Sequence, residues 1–189
     1  MVCYNNYMPK MLLLSCCAPC SCGVIKKLSR EGRDFAVLFY NPNIAPEDEY
    51  KKRLAENKRL CDVCKVPFYD LEYQPALWAE AIKGCEKDAE RGERCFRCFL
   101  MRLRRAAVFA KHNGFDTFSS VLGVSRHKDM DQVNKAGLMA GELEGIPYDT
   151  FNWRKGGLEE LRRAVNKELT LYNQNYCGCP YSKRNKDIE

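Results

Sequence analysis

The residues of this sequence best suited to chemistry are seven cysteines in three short motifs. The motifs are Cys16-Cys17-x-x-Cys20, Cys95-x-x-Cys98 and Cys177-x-Cys179. Thiolates one to three residues apart converge on one site, because a turn or the first turn of a helix brings their side chains together. Such thiolates are the ligands of iron–sulfur clusters and of zinc ions. The spacing therefore predicts a metal centre assembled from the beginning, the middle and the end of the chain.

The number of these cysteines bears on which metal they bind. Seven thiols exceed the four ligands that a single cluster or zinc ion takes, which predicts a second metal beside the first. A structural zinc ion usually draws its ligands from two local knuckles, whereas these ligands come from distant segments. The pattern favours an iron–sulfur cluster with a neighbouring metal ion, and a structural zinc site is the alternative.

Two further sets of thiols have other interpretations. Cys61-x-x-Cys64 has the spacing of a thiol–disulfide oxidoreductase, but it stands at the end of a predicted helix rather than before one. We expect a structural role for this pair, with one thiol on the buried face. Cys22 is either an eighth ligand or a packing residue of the first helix.

Composition limits the class of protein. The chain has 189 residues, 46% hydrophobic and 30% charged, which predicts a single domain over residues 1–189 with a real core. A net charge of +6 permits an anionic partner. The start lacks a basic region, and the apolar run Met11–Leu14 is too short for a signal peptide or a membrane span. We therefore expect a cytoplasmic protein without a membrane association, where clustered cysteines serve metal or redox chemistry.

The elements that must position the cysteines are strands alternating with helices. Short apolar runs predict buried strands at Met11–Ser15, Phe35–Tyr40, Val66–Leu71 and Asp116–Leu122. Val24, Ile25 and Leu28 mark one face of a helix that follows the first cysteines and ends near Gly32. Helical periodicity predicts further helices at Glu47–Lys65, Pro75–Lys83, Cys95–Asn113, Lys128–Ala140 and Gly157–Leu171. This alternation predicts one α/β domain, a parallel sheet flanked by helices on both faces.

The first strand gives the most useful positional prediction. In such sheets the active crevice lies at the carboxyl ends of the strands, and Cys16, Cys17 and Cys20 directly follow the first of them. Nucleotide-binding proteins of this class place a glycine-rich phosphate loop there. Ser15–Cys20 contains no glycine, which predicts that this position binds metal rather than phosphate.

Four motifs, in order along the chain, carry a resemblance to a known family. They are Leu14-Ser15-Cys16-Cys17-Ala18-Pro19-Cys20-Ser21; Tyr40-Asn41-Pro42-Asn43-Ile44 with Glu49-Tyr50-x-x-Arg53; Gly92-Glu93-Arg94-Cys95-x-x-Cys98-Phe99-x-Met101-Arg102-Leu103; and Tyr176-Cys177-Gly178-Cys179-x-Tyr181-Ser182. Together they span about residues 11–182. The chain resembles the epoxyqueuosine reductase family of the QueH type.

The resemblance implies a Rossmann-like fold similar to the adenine-nucleotide alpha-hydrolases and an enzyme that works without cobalamin. It implies reduction of epoxyqueuosine to queuosine at the wobble position of tRNA, with electrons from an external low-potential donor. Members hold a four-iron–four-sulfur cluster with an additional metal, iron, close by. Some members carry an aspartate where this chain has Cys20, so Cys20 binds either the cluster or the second metal.

The chemistry that this implies needs electrons and protons. Removing an epoxide oxygen to leave an alkene takes two electrons and two protons; a cluster delivers electrons singly, and an adjacent metal is a Lewis acid for the oxygen. Glu49 and Tyr181 stand at family-motif positions and are the candidate proton donors. The alternative for Glu49 is an exposed helix carboxylate that pairs with Arg53 four residues later.

Contacts with tRNA are predicted from basic and amide side chains. Basic clusters near the cysteine tail suit phosphates, and the two asparagines either bind the substrate or form an Asx turn. The candidate substrate-binding residues are Asn41, Asn43, Arg53, Arg154, Lys155, Lys183 and Arg184. Two other functions are weighed: a zinc-stabilised RNA-binding module without catalysis, and a sulfur-transferring tRNA enzyme, against which the missing phosphate loop counts.

Overall fold

Four parallel strands form the centre of the protein. The computed structural model describes residues 8–182. Its strands are β1 (Met11–Ser15), β2 (Phe35–Phe39), β3 (Phe68–Asp70) and β4 (Thr117–Ser120). They lie in the order β3-β2-β1-β4, and all three pairings are parallel. Every residue of β1 and β2 is buried, as expected for apolar strands that are covered on both faces.

The edge strand β3 is shorter than predicted. It begins at Phe68 rather than Val66, and its three residues are half-buried or exposed. Pro67 has no N–H for a strand ladder, although its carbonyl oxygen still accepts from Val37 N at 2.9 Å. The remaining strands agree with the prediction to within two residues at each end.

Six helices surround the sheet in two groups. They are α1 (Ala18–Arg30), α2 (Glu47–Cys64), α3 (Pro75–Ala81), α4 (Glu93–His112), α5 (Met130–Glu144) and α6 (Leu158–Leu169). Helix α1 packs on α2 and α6, whereas α4 packs on α3 and α5. The connections from β1 to β2 and from β2 to β3 run one way along the sheet, and the connection from β3 to β4 runs the other way. Because the crossovers are right-handed, the two groups cover opposite faces of the sheet. The predicted α/β fold is confirmed.

Two helix starts differ from the prediction in ways that matter for function. Helix α4 begins at Glu93, so Cys95 and Cys98 lie in its first two turns. Helix α5 begins at Met130 rather than Lys128, because the Asp129 side chain caps it by accepting from the backbone N–H groups of residues 131 and 132. Lys128 is therefore a loop residue. No helix within residues 8–182 is long and apolar enough to cross a membrane.

The strand order reverses between β1 and β4, and this point positions the site. Connections leave β1 toward β2 on one side, and β4 lies on its other side. In such doubly wound sheets, a crevice opens at the carboxyl ends of the two strands that flank the reversal. Cys16 follows β1 there, and the loop of residues 121–129 follows β4.

Candidate metal centre and active site

A cavity of about 590 Å³ opens at this crevice. All seven cysteines predicted as metal ligands line it: Cys16, Cys17, Cys20, Cys95, Cys98, Cys177 and Cys179. They reach it from the end of β1, the start of α4 and the segment that follows α6. The fold therefore brings together thiols that lie up to 163 residues apart in the chain, counted from residue 16 to residue 179.

The thiols that follow β1 form the tightest group. The sulfur atoms of Cys16, Cys17 and Cys20 all lie within 4.8 Å of one another, and those of Cys16 and Cys17 are 3.8 Å apart. Hydrogen bonds from Cys17 and Cys20 hold the pKa of the Cys16 thiol well below its usual range. The hydrogen bond to Cys16, together with burial, raises the pKa of Cys17 to about 12. One thiolate is thus favoured, and a metal ion must displace the other protons as it binds.

The backbone around these thiols is fixed by buried polar groups. The Ser15 hydroxyl bonds to the side chains of Ser21 and Asn57. The Asn41 side chain donates to the Ser15 carbonyl oxygen at 2.9 Å, and its own oxygen accepts from Arg102. Asn41, predicted as a substrate contact, therefore holds the end of β1 in place.

The other four thiols come from α4 and the cysteine-rich tail. Cys98 and Cys179 are buried together in a small cluster with Trp78 and Ile82. The backbone N–H of Arg91 lies 3.4 Å from the sulfur of Cys95. Burial raises the pKa of Cys95 and raises that of Cys179 to about 12, so metal binding at this group also releases protons.

The tail is held by a buried arginine of α2. Arg53 donates to Glu49 at 2.7 Å, to the Cys177 carbonyl oxygen at 3.0 Å and to the Tyr176 carbonyl oxygen at 3.2 Å. The Gly178 carbonyl oxygen accepts from the backbone of residue 45 at 2.9 Å. Glu49 and Arg53 are only 7% and 2% exposed, so the predicted pair exists but the expectation that it is exposed is wrong.

Neither candidate proton donor is among the described residues that line the cavity. The second carboxylate oxygen of Glu49 accepts from the Tyr172 hydroxyl at 2.7 Å, so both of its oxygens are engaged. Tyr181 is 48% exposed, with its ring 6.2 Å from that of Trp78 and 5.3 Å from the Arg94 guanidinium. Glu49 orients Arg53, and Tyr181 packs beside Trp78 and Arg94, two residues that line the cavity.

The predicted substrate contacts are divided among several places. Asn43 and Arg53 line the cavity. Arg154 donates to the carbonyl oxygens of Gly123, Ser125 and Lys128 at 2.7–2.8 Å, so it holds the loop after β4. Lys155 is exposed and outside the lining, and Lys183 and Arg184 lie outside the described residues.

The family model for epoxyqueuosine reductase QueH matches residues 11–185. The chain belongs to the QueH family. Proteins of this name from Histophilus somni and Acinetobacter baylyi are each 46% identical over 93% of this chain, which covers 72% and 81% of their lengths. The Thermotoga maritima protein is 33% identical over 96% of both chains. As a member of this family of reductases, the chain is an oxidoreductase of tRNA queuosine biosynthesis.

A solved structure confirms the fold of this QueH-family chain. The U34-tRNA thiolase NcsA from Methanococcus maripaludis, solved with its [4Fe-4S] cluster, superposes with a TM-score of 0.59 at 12% identity. The match covers 94% of this chain, which spans 63% of the thiolase. At this identity the likeness concerns the fold alone, and it confirms the Rossmann-like class.

Two residues beside the thiols were not predicted from the sequence. Lys128 Nζ lies 3.6 Å from the Cys16 sulfur, and Gln174 Nε2 lies 2.8 Å from the Cys17 sulfur. Burial lowers the pKa of Lys128, but the charges of Cys16 and Cys177 outweigh it and raise the pKa, so the ammonium persists. The sequence did contain a signal for the position of Lys128. The pattern Asp129-x-x-Gln132 indicates a helix N-cap at Asp129, so residue 128 belongs to the loop before the helix.

The residues of the cavity fit an anionic iron–sulfur group. Two buried N–H donors that line it, Trp78 Nε1 and Arg94 Nε, have no partner among the described residues. Trp78 packs against Cys98 and Cys179, and the charge of Arg94 acts on Cys179. Cluster sulfur atoms accept hydrogen bonds, so thiolates with unpaired N–H donors beside them match such a group.

Proposed function

We propose that this QueH-family chain reduces epoxyqueuosine to queuosine at the wobble position of tRNA, in the cysteine-lined cavity, with a four-iron–four-sulfur cluster and an adjacent iron ion. The reductase class is that of the family. The observation that carries the proposal is that seven cysteines from three distant segments line one cavity. A binding module needs one local set of four zinc ligands, which does not account for seven convergent thiols.

We assign the cluster to the four thiols Cys95, Cys98, Cys177 and Cys179. A four-iron–four-sulfur cluster takes four cysteine ligands, and this group has four. The charges of Cys98 and Cys177 act on both Cys95 and Cys179, which supports a shared site. The thiolase of similar fold was solved with a [4Fe-4S] cluster, so a fold of this class can carry such a group.

The remaining thiols are assigned to the iron ion. The sulfur atoms of Cys16, Cys17 and Cys20 are close enough to share one ion, and three protein ligands leave a coordination position open. Family members with aspartate at position 20 agree, because a carboxylate is an ordinary ligand of a single metal ion. Cys20 thus belongs to the ion rather than to the cluster.

The reaction breaks both C–O bonds of the epoxide and forms a C=C bond, with two electrons and two protons converting the oxygen to water. When bound, the cluster supplies single electrons from an external low-potential donor, and the ion supplies a Lewis acid for the epoxide oxygen. Lys128 and Gln174 donate toward the sulfur atoms of Cys16 and Cys17, which orients these thiolates. Arg53 keeps Cys177 and Cys179 at the cavity by binding tail carbonyl groups.

The lining of the cavity suits an RNA loop. It includes Arg91, Arg126 and Arg162, and cationic side chains attract phosphates. Arg91 also donates to the carbonyl oxygens of residues 126 and 127, which fixes the loop after β4 beside the cavity. An unpaired base in an anticodon loop can be turned outward into such a cavity. Lys155, which is outside the lining, remains a predicted phosphate contact, as do Lys183 and Arg184, which lie outside the described residues.

Turnover of epoxyqueuosine-containing tRNA by anaerobically purified protein tests the function. With a chemical reductant, we expect queuosine to form in the wild-type reaction and not with Cys98→Ala or Cys17→Ala, each of which lacks a ligand of one proposed metal. Cys64→Ala, which removes a thiol outside the cavity lining, should remain active. Tight tRNA binding without turnover, by protein that holds zinc and takes up neither iron nor sulfide, would favour the binding module instead.

A further inference from the structure

The cavity contains a second set of polar groups, apart from the cysteines. Across residues 8–182, six buried side-chain nitrogen or oxygen atoms have no hydrogen-bond partner, and five belong to residues that line this cavity. The five are Asn43 Oδ1, Trp78 Nε1, Arg94 Nε, Gln132 Oε1 and Gln174 Oε1. An unsatisfied buried polar group costs about 1–3 kcal/mol. Their concentration at one site indicates a bound molecule that supplies the missing partners.

The five atoms separate by chemistry. The two donors, on Trp78 and Arg94, lie beside the cysteines assigned to the cluster. The other three are carboxamide oxygens, which accept hydrogen bonds. The occupant opposite them must therefore present N–H or O–H groups, which a cluster does not have.

Hydrogen bonds made by the amide nitrogens of Gln132 and Gln174 show that the amide oxygen of each is the atom without a partner. Gln132 Nε2 donates to the carbonyl oxygens of Arg91 at 2.8 Å and Gly92 at 3.2 Å. Gln174 Nε2 is directed at the sulfur of Cys17. Since both amide nitrogens are committed to acceptors, the oxygens are the groups that lack partners. Asn43 is only 3% exposed, and its oxygen has no partner, so it forms no Asx turn through this atom.

We propose that the oxygens of Asn43, Gln132 and Gln174 recognise the substrate as a guanine-type base, by accepting from its N–H groups. The inference rests on the proposed function and specifies how the same cavity selects its base. Along the side that carries N1 and the exocyclic amine, a guanine-type ring has three N–H bonds: one at N1, one amine N–H on the Watson–Crick edge and one amine N–H on the sugar edge. Adenine and cytosine carry two and uracil one, so three acceptors match the guanine type and leave the others with an unpaired oxygen.

The size and position of the site agree with one flipped base. A cavity of about 590 Å³ lies in the range of small-molecule sites. Sequence-specific recognition of RNA targets unpaired bases whose Watson–Crick edges are free to bond with the protein. The Gln174 oxygen belongs to the same amide that contacts Cys17, so base recognition is directly adjacent to the thiols assigned to the iron ion.

The test compares two anticodon stem–loop RNAs that carry guanosine or inosine at the wobble position. Inosine lacks the exocyclic amine and so loses two of the three N–H bonds. With metal-loaded wild-type protein we expect the guanosine RNA to bind about tenfold more tightly, measured by fluorescence anisotropy. Binding of the guanosine RNA should weaken in each of three variants: Asn43→Leu, Gln132→Met and Gln174→Met. In a variant whose lost oxygen contacts the exocyclic amine, the ratio of the affinities for the guanosine and inosine RNAs should also fall toward one.

Controls distinguish a failure of this inference from a failure of the proposed function. Gln74→Met changes a glutamine outside the cavity lining and should keep the wild-type ratio. Iron content and thermal melting identify any variant that has lost its metals or its fold; the remaining variants still carry the test. Equal binding of the two RNAs by a wild-type preparation that does reduce epoxyqueuosine in tRNA would overturn the inference alone. A wild-type preparation that is loaded with iron but reduces nothing would overturn the proposed function.

Discussion

The two regions that supply the thiols are built in different ways. The corner between β1 and α1 carries Cys16, Cys17 and Cys20 where a buried strand ends and a helix begins, and buried side chains such as Asn41 reinforce this regular structure. The tail after α6 has no regular structure at Cys177 and Cys179, and long-range hydrogen bonds from Arg53 hold it. The corner is therefore an inherent part of the sheet, whereas the tail depends on a few side chains of α2.

The comparison implies that the two regions can lose their metals separately. We expect Cys179→Ala to lose most of its iron and all of its sulfide, since the assigned cluster accounts for four of five iron atoms. Cys17→Ala should lose about one iron atom per chain and keep the sulfide. Iron and sulfide analysis of anaerobically prepared variants measures both. Equal losses from the two variants would contradict the assignment of separate metals.

Removing the arginine that holds the tail should affect that region first. Arg53→Met breaks three hydrogen bonds and leaves the Glu49 carboxylate buried without its cation, which destabilises by about 3–5 kcal/mol. The free energy of unfolding, measured in urea, and the sulfide content should both fall. Lys51→Met is the matched control, because Lys51 pairs with Glu47 at the same spacing on the same helix but in solvent. It should change neither measurement appreciably.

A smaller change in the tail tests its fit against α2. Gly178 has a φ of +106°, and a Cβ there would lie 2.9 Å from Ile44 Cγ1 and 3.0 Å from Arg53 Nη1. Gly178→Ala should cost about 1–3 kcal/mol and lower the sulfide content. Gly156→Ala also places alanine at positive φ, +66°, but in open space. If both variants keep full sulfide, the close packing of the tail is not what positions its thiols.

The smallest expected effect concerns the cation that lies between the two regions. The charge of Lys128 acts on both Cys16 and Cys177. Lys128→Met should retain its metals but make the midpoint potential more negative, by on the order of tens of millivolts, because a positive charge and an N–H donor are lost. Lys128→Arg keeps the charge and should stay near the wild-type potential. Spectroelectrochemical titration measures the shift, and an unchanged potential in Lys128→Met would place its charge outside the metal centre's influence.

The difference between the regions also explains what could be predicted from the sequence. The apolar runs Met11–Ser15 and Phe35–Phe39 specify buried parallel strands, and the position of Cys16 after the first of them specifies the crevice. The cysteine motifs predicted the set of seven that lines the cavity. These signals are local, so they can be read directly along the chain.

Roles that depend on tertiary contacts were not predictable in this way. The sequence predicted catalytic or substrate-binding roles for Glu49, Arg53 and Arg154, because charged side chains of these types often have them. In the structure, the hydrogen bonds of Glu49 and Arg53 hold the tail, and those of Arg154 hold the loop after β4. Nothing in the spacing of these residues indicates which distant carbonyl groups they meet. Lys128 was missed because its position depends on a helix cap one residue later.

The proposed metal centre is tested most directly by the iron and acid-labile sulfide content of anaerobically purified wild-type protein, together with its absorption spectrum. We predict about five iron atoms and four sulfides per chain, as one four-iron–four-sulfur cluster and one ion. One zinc ion per chain with neither iron nor sulfide, persisting after anaerobic reconstitution, would contradict this prediction.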